Sequence, residues 1–167
     1  MADATAVTLA RWPYRGSSAI PLPELTSSGD LPPEIHRATP AQTLARFGAG
    51  SSRRVALGLR LERVYRLAQA DGQLARLVVF GSFVTAEPEP NDVDVFLLME
   101  DTFDVGRLDA EARLLFDHAT AQAHLGVSAF WLRRSTAFEG EQATIAYWQT
   151  KRDGTRRRIV ELVSEVP

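Results

Sequence analysis

The chain has 167 residues, 45% of them hydrophobic and 24% charged, a size and balance that fit one soluble globular domain and exclude a fibrous or wholly disordered chain. It has no cysteine, which rules out disulfides, thiolate metal sites and a thiol nucleophile, so any metal must sit on oxygen or imidazole. The net charge of -2 argues against broad electrostatic binding to nucleic acid or to a membrane surface, and with neither a signal-peptide pattern nor a long apolar run the expected location is the cytoplasm.

Residues 1–33 hold five of the nine prolines (Pro13, Pro21, Pro23, Pro32 and Pro33) and a Thr-Ser-Ser-Gly run at 26–29, so they read as an extended arm. A short helix over 40–47 follows: Thr39 offers the N-cap hydroxyl, Pro40 the first helical position, Gln42 the capping-box partner, and Gly48 the stop. From Arg53 to Ala70 the apolar residues Leu57, Leu61, Val64 and Ala68 recur every three or four positions, which predicts an amphipathic helix ending near Gly72. Residues 74–80 are short, apolar and rich in Val, and end at Gly81; they read as a buried strand. After the turn-rich stretch 87–91, residues 93–98 predict a second, central strand paired with the first.

Leu108, Ala112, Leu115 and Ala119 return to helical spacing, predicting a helix over about 105–124 with Gly126 as its stop and a third strand over 127–132. In the tail, Ile145, Tyr147 and Gln149 alternate, Asp153-Gly154 marks a turn, and residues 159–163 return, the pattern of a β-hairpin. The expected fold class is α/β (α+β): a mixed sheet flanked by helices, with an N-terminal arm and short helix over 1–50 and the main domain over 51–167.

Chemistry concentrates in Val78-Val79-Phe80-Gly81-Ser82, a spacer, and Asp92-Val93-Asp94, which puts three functional types at the ends of two adjacent strands. Glycine at a strand exit permits a sharp turn and the close approach of a phosphate. Ser82 adds a hydroxyl and, if residues 82–86 open a helical turn, free N–H groups. Asp92 and Asp94 stand two apart on a strand, so both carboxylates leave by one face and can share a Mg²⁺ ion that phosphate oxygens complete. Two capping aspartates that coincide with a common Gly-Ser turn are the structural alternative.

This stretch resembles the Gly-Ser, spacer, Asp-x-Asp signature of the DNA polymerase β-like nucleotidyltransferase superfamily in its minimal bacterial form, over roughly residues 55–132. The Leu31-Pro32-Pro33-Glu34-Ile35-His36 segment and Gly81-Ser82-Phe83-Val84-Thr85 with Pro90-Asn91-Asp92-Val93-Asp94 also resemble an uncharacterised bacterial family with such a domain. The resemblance implies transfer of a nucleoside monophosphate from an NTP, ATP first among them, to a protein, RNA or small-molecule hydroxyl with loss of pyrophosphate. Gly81 and Ser82 would bind the nucleotide, and Asp92 and Asp94 would serve as catalytic residues and hold Mg²⁺. Relatives also carry a third carboxylate on the strand after the second helix, where this chain has Ser128, and an Arg-Gly pair after the Gly-Ser turn, where it has Thr85-Ala86.

The alternative is a catalytically degenerate binding module, antitoxin-like, with a toxin as protein partner. A third reading, an RNA-binding accessory domain, requires Arg53, Arg54, Arg156, Arg157 and Arg158 to converge on one face. His118 and His124, six residues apart, do not share a helix face at metal-ligand spacing and read as packed or solvated. His36 could reach a site only if the arm folds over the domain. Trp131, Tyr147 and Trp148 read as packing residues.

Overall fold

The computed structural model describes residues 21–137, 139–151 and 153–164, so most of the expected N-terminal arm lies outside the described residues. The expected mixed sheet flanked by helices is present. Five strands, β1 (Ile35–Ala38), β2 (Leu74–Phe80), β3 (Val93–Met99), β4 (Val127–Arg133) and β5 (Ile159–Leu162), lie in the order β1-β5-β2-β3-β4. The pairs β1/β5 and β3/β4 are parallel; β5/β2 and β2/β3 are antiparallel.

The predicted short helix is α1 (Pro40–Phe47), with the Thr39 and Gln42 capping box formed and the Gly48 N–H closing on Leu44 O. The amphipathic helix is α2 (Ser52–Ala68), capped by Ser51, whose hydroxyl accepts from the Arg54 N–H. It buries Leu57, Leu61 and Val64 against Val79, Val93, Val95 and Leu97 of the sheet. Period-two alternation sends Val78, Phe80, Phe96 and Leu98 to the other face, where Ile145 and Ile159 complete a second core.

Three expectations need correction. The region 105–124 is not one helix: 3₁₀ turns at Val105–Arg107 and Leu114–Phe116, α3 (Ala110–Arg113), α4 (His118–Thr120) and a π-type turn at Ala121–Leu125 follow one another. Asp104, Asp109 and Asp117 each accept a backbone N–H two or three residues on and so restart the helix each time. Gly126, at φ 66°, ends the region as expected.

The second correction concerns the tail. Residues 141–149 form α5 (Glu141–Gln149), not the first arm of a hairpin, because Ile145 and Trp148 at helical spacing cover the second face of the sheet while Tyr147 stays 74% exposed. A single antiparallel bridge, Thr150 to Arg156 across Asp153-Gly154, is the remnant of the hairpin. Third, residues 35–38 are a strand rather than arm. β1 joins the sheet through β5, whose Glu161 accepts from Arg37 on β1 at 3.1 Å and from Arg76 on β2 at 2.6 Å, and Leu31, Ala38 and Phe47 enter the first core. No helix among the described residues is long and apolar enough to cross a membrane.

Candidate functional site

The register sets Asp94 between Phe80 of β2 and Ser128 of β4. Val93 and Val95 go into the first core, so Asp92 and Asp94 lie on the face of Phe96 and Leu98, near its open end. Ser128, 8% exposed, donates its hydroxyl to Asp92 Oδ2 at 2.7 Å. The pKa of Asp94 is raised to about 6, first by burial and then by the charge of Asp92, with Arg157 and His118 pulling the other way.

Gly81, at φ 78°, turns the chain out of β2 directly against this pair: a Cβ there would collide with the Asp94 carboxylate. After it comes only a three-residue 3₁₀ turn, Ser82–Val84, in place of the helical turn over 82–86 that would have aimed several N–H groups at an anion. Any positive complement to phosphate therefore has to come from side chains.

Those side chains come from the tail. Lys151, Arg157 and Arg158 line a cavity of about 320 Å³ together with Gly81 and Ser82, and two acids, Asp30 and Glu87, sit on its wall. Arg158 is itself paired with Asp30 at 3.3 Å. The guanidinium of Arg157 lies 5.0 Å above the Phe80 ring, and its Nε is buried without a hydrogen-bond partner. A second cavity, of about 450 Å³, brings Lys151 and Arg157 together with Asp94.

The loop between the Gly-Ser turn and Asp92 is held by Arg54 and Arg53. Arg54, buried, donates to Phe47 O at 2.9 Å, Phe83 O at 3.0 Å and Thr85 O at 2.6 Å, and also to Glu87 O. Arg53 donates to Pro90 O at 3.0 Å and to Asn91 O, one residue before the carboxylate pair. The five arginines therefore do not form one exposed face.

His118 was not singled out by its spacing, yet its charge reaches Asp94; its Nδ1 donates to Ala129 O at 3.1 Å and its ring stacks on Phe130 at 4.6 Å. His124 is exposed. His36 is on β1 with Nε2 bonded to Pro32 O at 2.9 Å, separated from β3 by β5 and β2. Two further acids near β4 do not join the pair: Glu141 pairs with Arg134 at 2.6 Å, and Glu139 faces a separate aromatic cavity. Of the aromatics, Trp148 packs as expected, 4.9 Å from Phe96, and Trp131 donates to Phe116 O at 2.8 Å.

The side chains that could hold a hard divalent cation are two carboxylates on one face, and Asp94 is hard to ionise first because it is buried and then because Asp92 is charged beside it. No group of three His, Asp or Glu residues able to hold a metal occurs among the described residues, so further ligands would be water, phosphate oxygens or the Ser128 hydroxyl.

Fold and site together define a mixed α+β domain with a carboxylate pair at one end of its sheet, beside a recess that carries three cations and two acids. The chain belongs to the family of unknown function DUF6932, whose model matches residues 23–163. No curated protein and no solved structure gives a significant match.

Proposed function

We propose that this protein is a cytoplasmic nucleotidyltransferase-like protein of the DNA polymerase β-like type that binds an NTP with Mg²⁺ and transfers its nucleoside monophosphate to an acceptor hydroxyl. The observation that carries the reading is the juxtaposition of Asp92 and Asp94 with Gly81 and the partnerless Nε of Arg157. A carboxylate pair next to a cation-lined recess suits a ligand that is itself a metal–polyphosphate, because each half of the site neutralises one component. When bound, Mg²⁺ supplies charge neutralisation at the α-phosphate and lowers the pKa of the attacking hydroxyl. Asp92 and Asp94 hold and orient; Gly81 admits the phosphates where any side chain would block them; Lys151, Arg157 and Arg158 hold the leaving pyrophosphate.

A second reading, an antitoxin-like or regulatory binding module, is favoured by one feature: Ser128 stands where a third carboxylate would act, with its hydroxyl engaged by Asp92. A serine hydroxyl is a poor base at neutral pH. A thermal-shift panel of the four NTPs with and without Mg²⁺ tests the first reading. Nucleotide at about 100 times its Kd should add about 2.7 kcal/mol of stability. Stabilisation that needs both NTP and Mg²⁺ is the expected result; none with any NTP rejects it. Binding without any transfer of label from [α-³²P]ATP favours the binding module.

A further inference from the structure

We propose that Asp30 is an internal placeholder for the phosphate ligand. Its carboxylate holds the anion position at Arg158, and a polyphosphate oxygen displaces it there when ligand enters the recess at the exit of β2. The inference rests on the phosphate-binding part of the reading above and not on the transfer step.

The turn that carries Asp30 has a fixed backbone. The Thr26 N–H donates to Asp30 O at 2.8 Å, and the Gly29 N–H donates to Thr26 O at 2.9 Å. The turn is docked on the loop that follows the Gly-Ser turn: the Ala86 N–H donates to Gly29 O at 2.7 Å, and Asp30 forms an antiparallel bridge with Thr85. What can move at Asp30 is therefore its side chain, and that side chain stands on the wall of the recess.

Each member of the ion pair has a second anchor. Arg158 Nη1 lies 3.3 Å from Asp30 Oδ2, with the two side chains 24% and 27% exposed. Arg158 Nε donates to Leu31 O at 2.9 Å, which keeps the guanidinium in place whether or not Nη1 is paired with Asp30. The Ser28 hydroxyl donates to the same Asp30 Oδ2 at 3.1 Å, so the carboxylate keeps a partner when it leaves the arginine. Exchange of Asp30 for a phosphate oxygen thus strands neither charge.

The other two cations of the recess, Lys151 and Arg157, form no ion pair among the described residues. A polyphosphate meets these two directly and gains the third by displacing Asp30, so Asp30 lowers its affinity. Glu87, the other acid on the wall, is exposed and forms no ion pair among the described residues; it opposes an anion only through screened charge.

Isothermal titration of the metal-free, full-length protein with inorganic tripolyphosphate tests the proposal. Asp30→Asn keeps the shape and drops the charge, and should bind tripolyphosphate about fivefold tighter than wild type, as Asp30→Ala should too. Glu87→Gln, with the same change in net charge, should gain less than about twofold. In an Arg158→Gln background, where the contested cation is gone, Asp30→Asn should gain less than about twofold or bind no tripolyphosphate at all.

Unchanged or weaker binding in both Asp30 variants overturns the proposal. So does an equal gain in Glu87→Gln, or an undiminished gain in the Arg158→Gln background, since either reduces Asp30 to one more surface charge. If tripolyphosphate binds none of these proteins, the recess is not an anion site and the placeholder falls with the phosphate assignment. If tripolyphosphate gives the expected pattern while no NTP binds with Mg²⁺, the transferase reading fails and the placeholder stands.

Discussion

The Ser128 hydroxyl donates a 2.7 Å hydrogen bond to Asp92 across the β3/β4 pair, with Asp94 as the register partner of Ser128. The parallel neighbour strand thus meets the carboxylate pair with a hydroxyl donor rather than a third acid.

Ser128→Ala is expected to cost about 1–2 kcal/mol in urea unfolding, the loss of one half-buried hydrogen bond to a carboxylate. Ser128→Asp places three carboxylates together, so the variant should melt below wild type without metal and recover with millimolar Mg²⁺. A melting temperature for Ser128→Asp that ignores Mg²⁺ would show that the third position does not address a metal.

Asp94 gives a pH signature. Its folded pKa of about 6 lies above the value of about 3.9 for an unfolded aspartate, so the folded state binds the proton more tightly. Its contribution favours folding below about pH 4 and is lost as pH rises through about 6. Asp94→Asn should therefore be more stable than wild type by about 1–2 kcal/mol at pH 7.5, a figure reduced for partial exposure, and the gap should close near pH 4. Denaturation curves at both pH values decide this. The same variant should lose Mg²⁺-dependent nucleotide binding, since the amide keeps shape and drops charge.

Gly81→Ala meets two obstacles, the positive φ of 78° and the Asp94 carboxylate. A cost of about 2 kcal/mol is expected from the backbone and the displaced side chain. In the double variant Gly81→Ala/Asp94→Ala the cost should be less than the sum of the single costs by about 1 kcal/mol, since truncating Asp94 removes the collision but not the φ strain. Strict additivity would disprove the contact.

Arg54 holds the loop that carries the turn to the carboxylates, through carbonyls of Phe83, Thr85 and Glu87. Arg54→Met should cost about 2–4 kcal/mol, because several buried carbonyls lose a charged donor. Arg54→Lys should rescue little, as one ammonium cannot span the fork's geometry. Arg53→Ala, at a half-buried position that donates to Pro90 O and Asn91 O, should cost less than Arg54→Met, about 1 kcal/mol in the same assay.

Where the determinants were local, the sequence by itself settled the structure. Thr39, Pro40 and Gln42 mark the start of α1 because a capping box satisfies its own N–H groups within four residues. Run length and apolar content marked β2, β3 and β4, and the two-residue period put Asp92 and Asp94 on one face before any fold was known. Ser128 was legible beside them, because a helix between two strands brings the second alongside the first.

Only the tertiary structure decided the rest. Ile145, Tyr147 and Gln149 alternate like a strand, but packing of Ile145 and Trp148 on the sheet selects a helix, a choice between two periods that nine residues cannot make alone. Arg54 looks like solvated charge until the loop carbonyls, 29–33 residues further along the chain, fold over it. Likewise Lys151 and Arg157, far in sequence from Gly81 and Asp94, join them because β5 pairs with β2 and brings the preceding turn back over the cleft. A side chain's partners across the sheet depend on strand order, and strand order is a property of the whole packed chain.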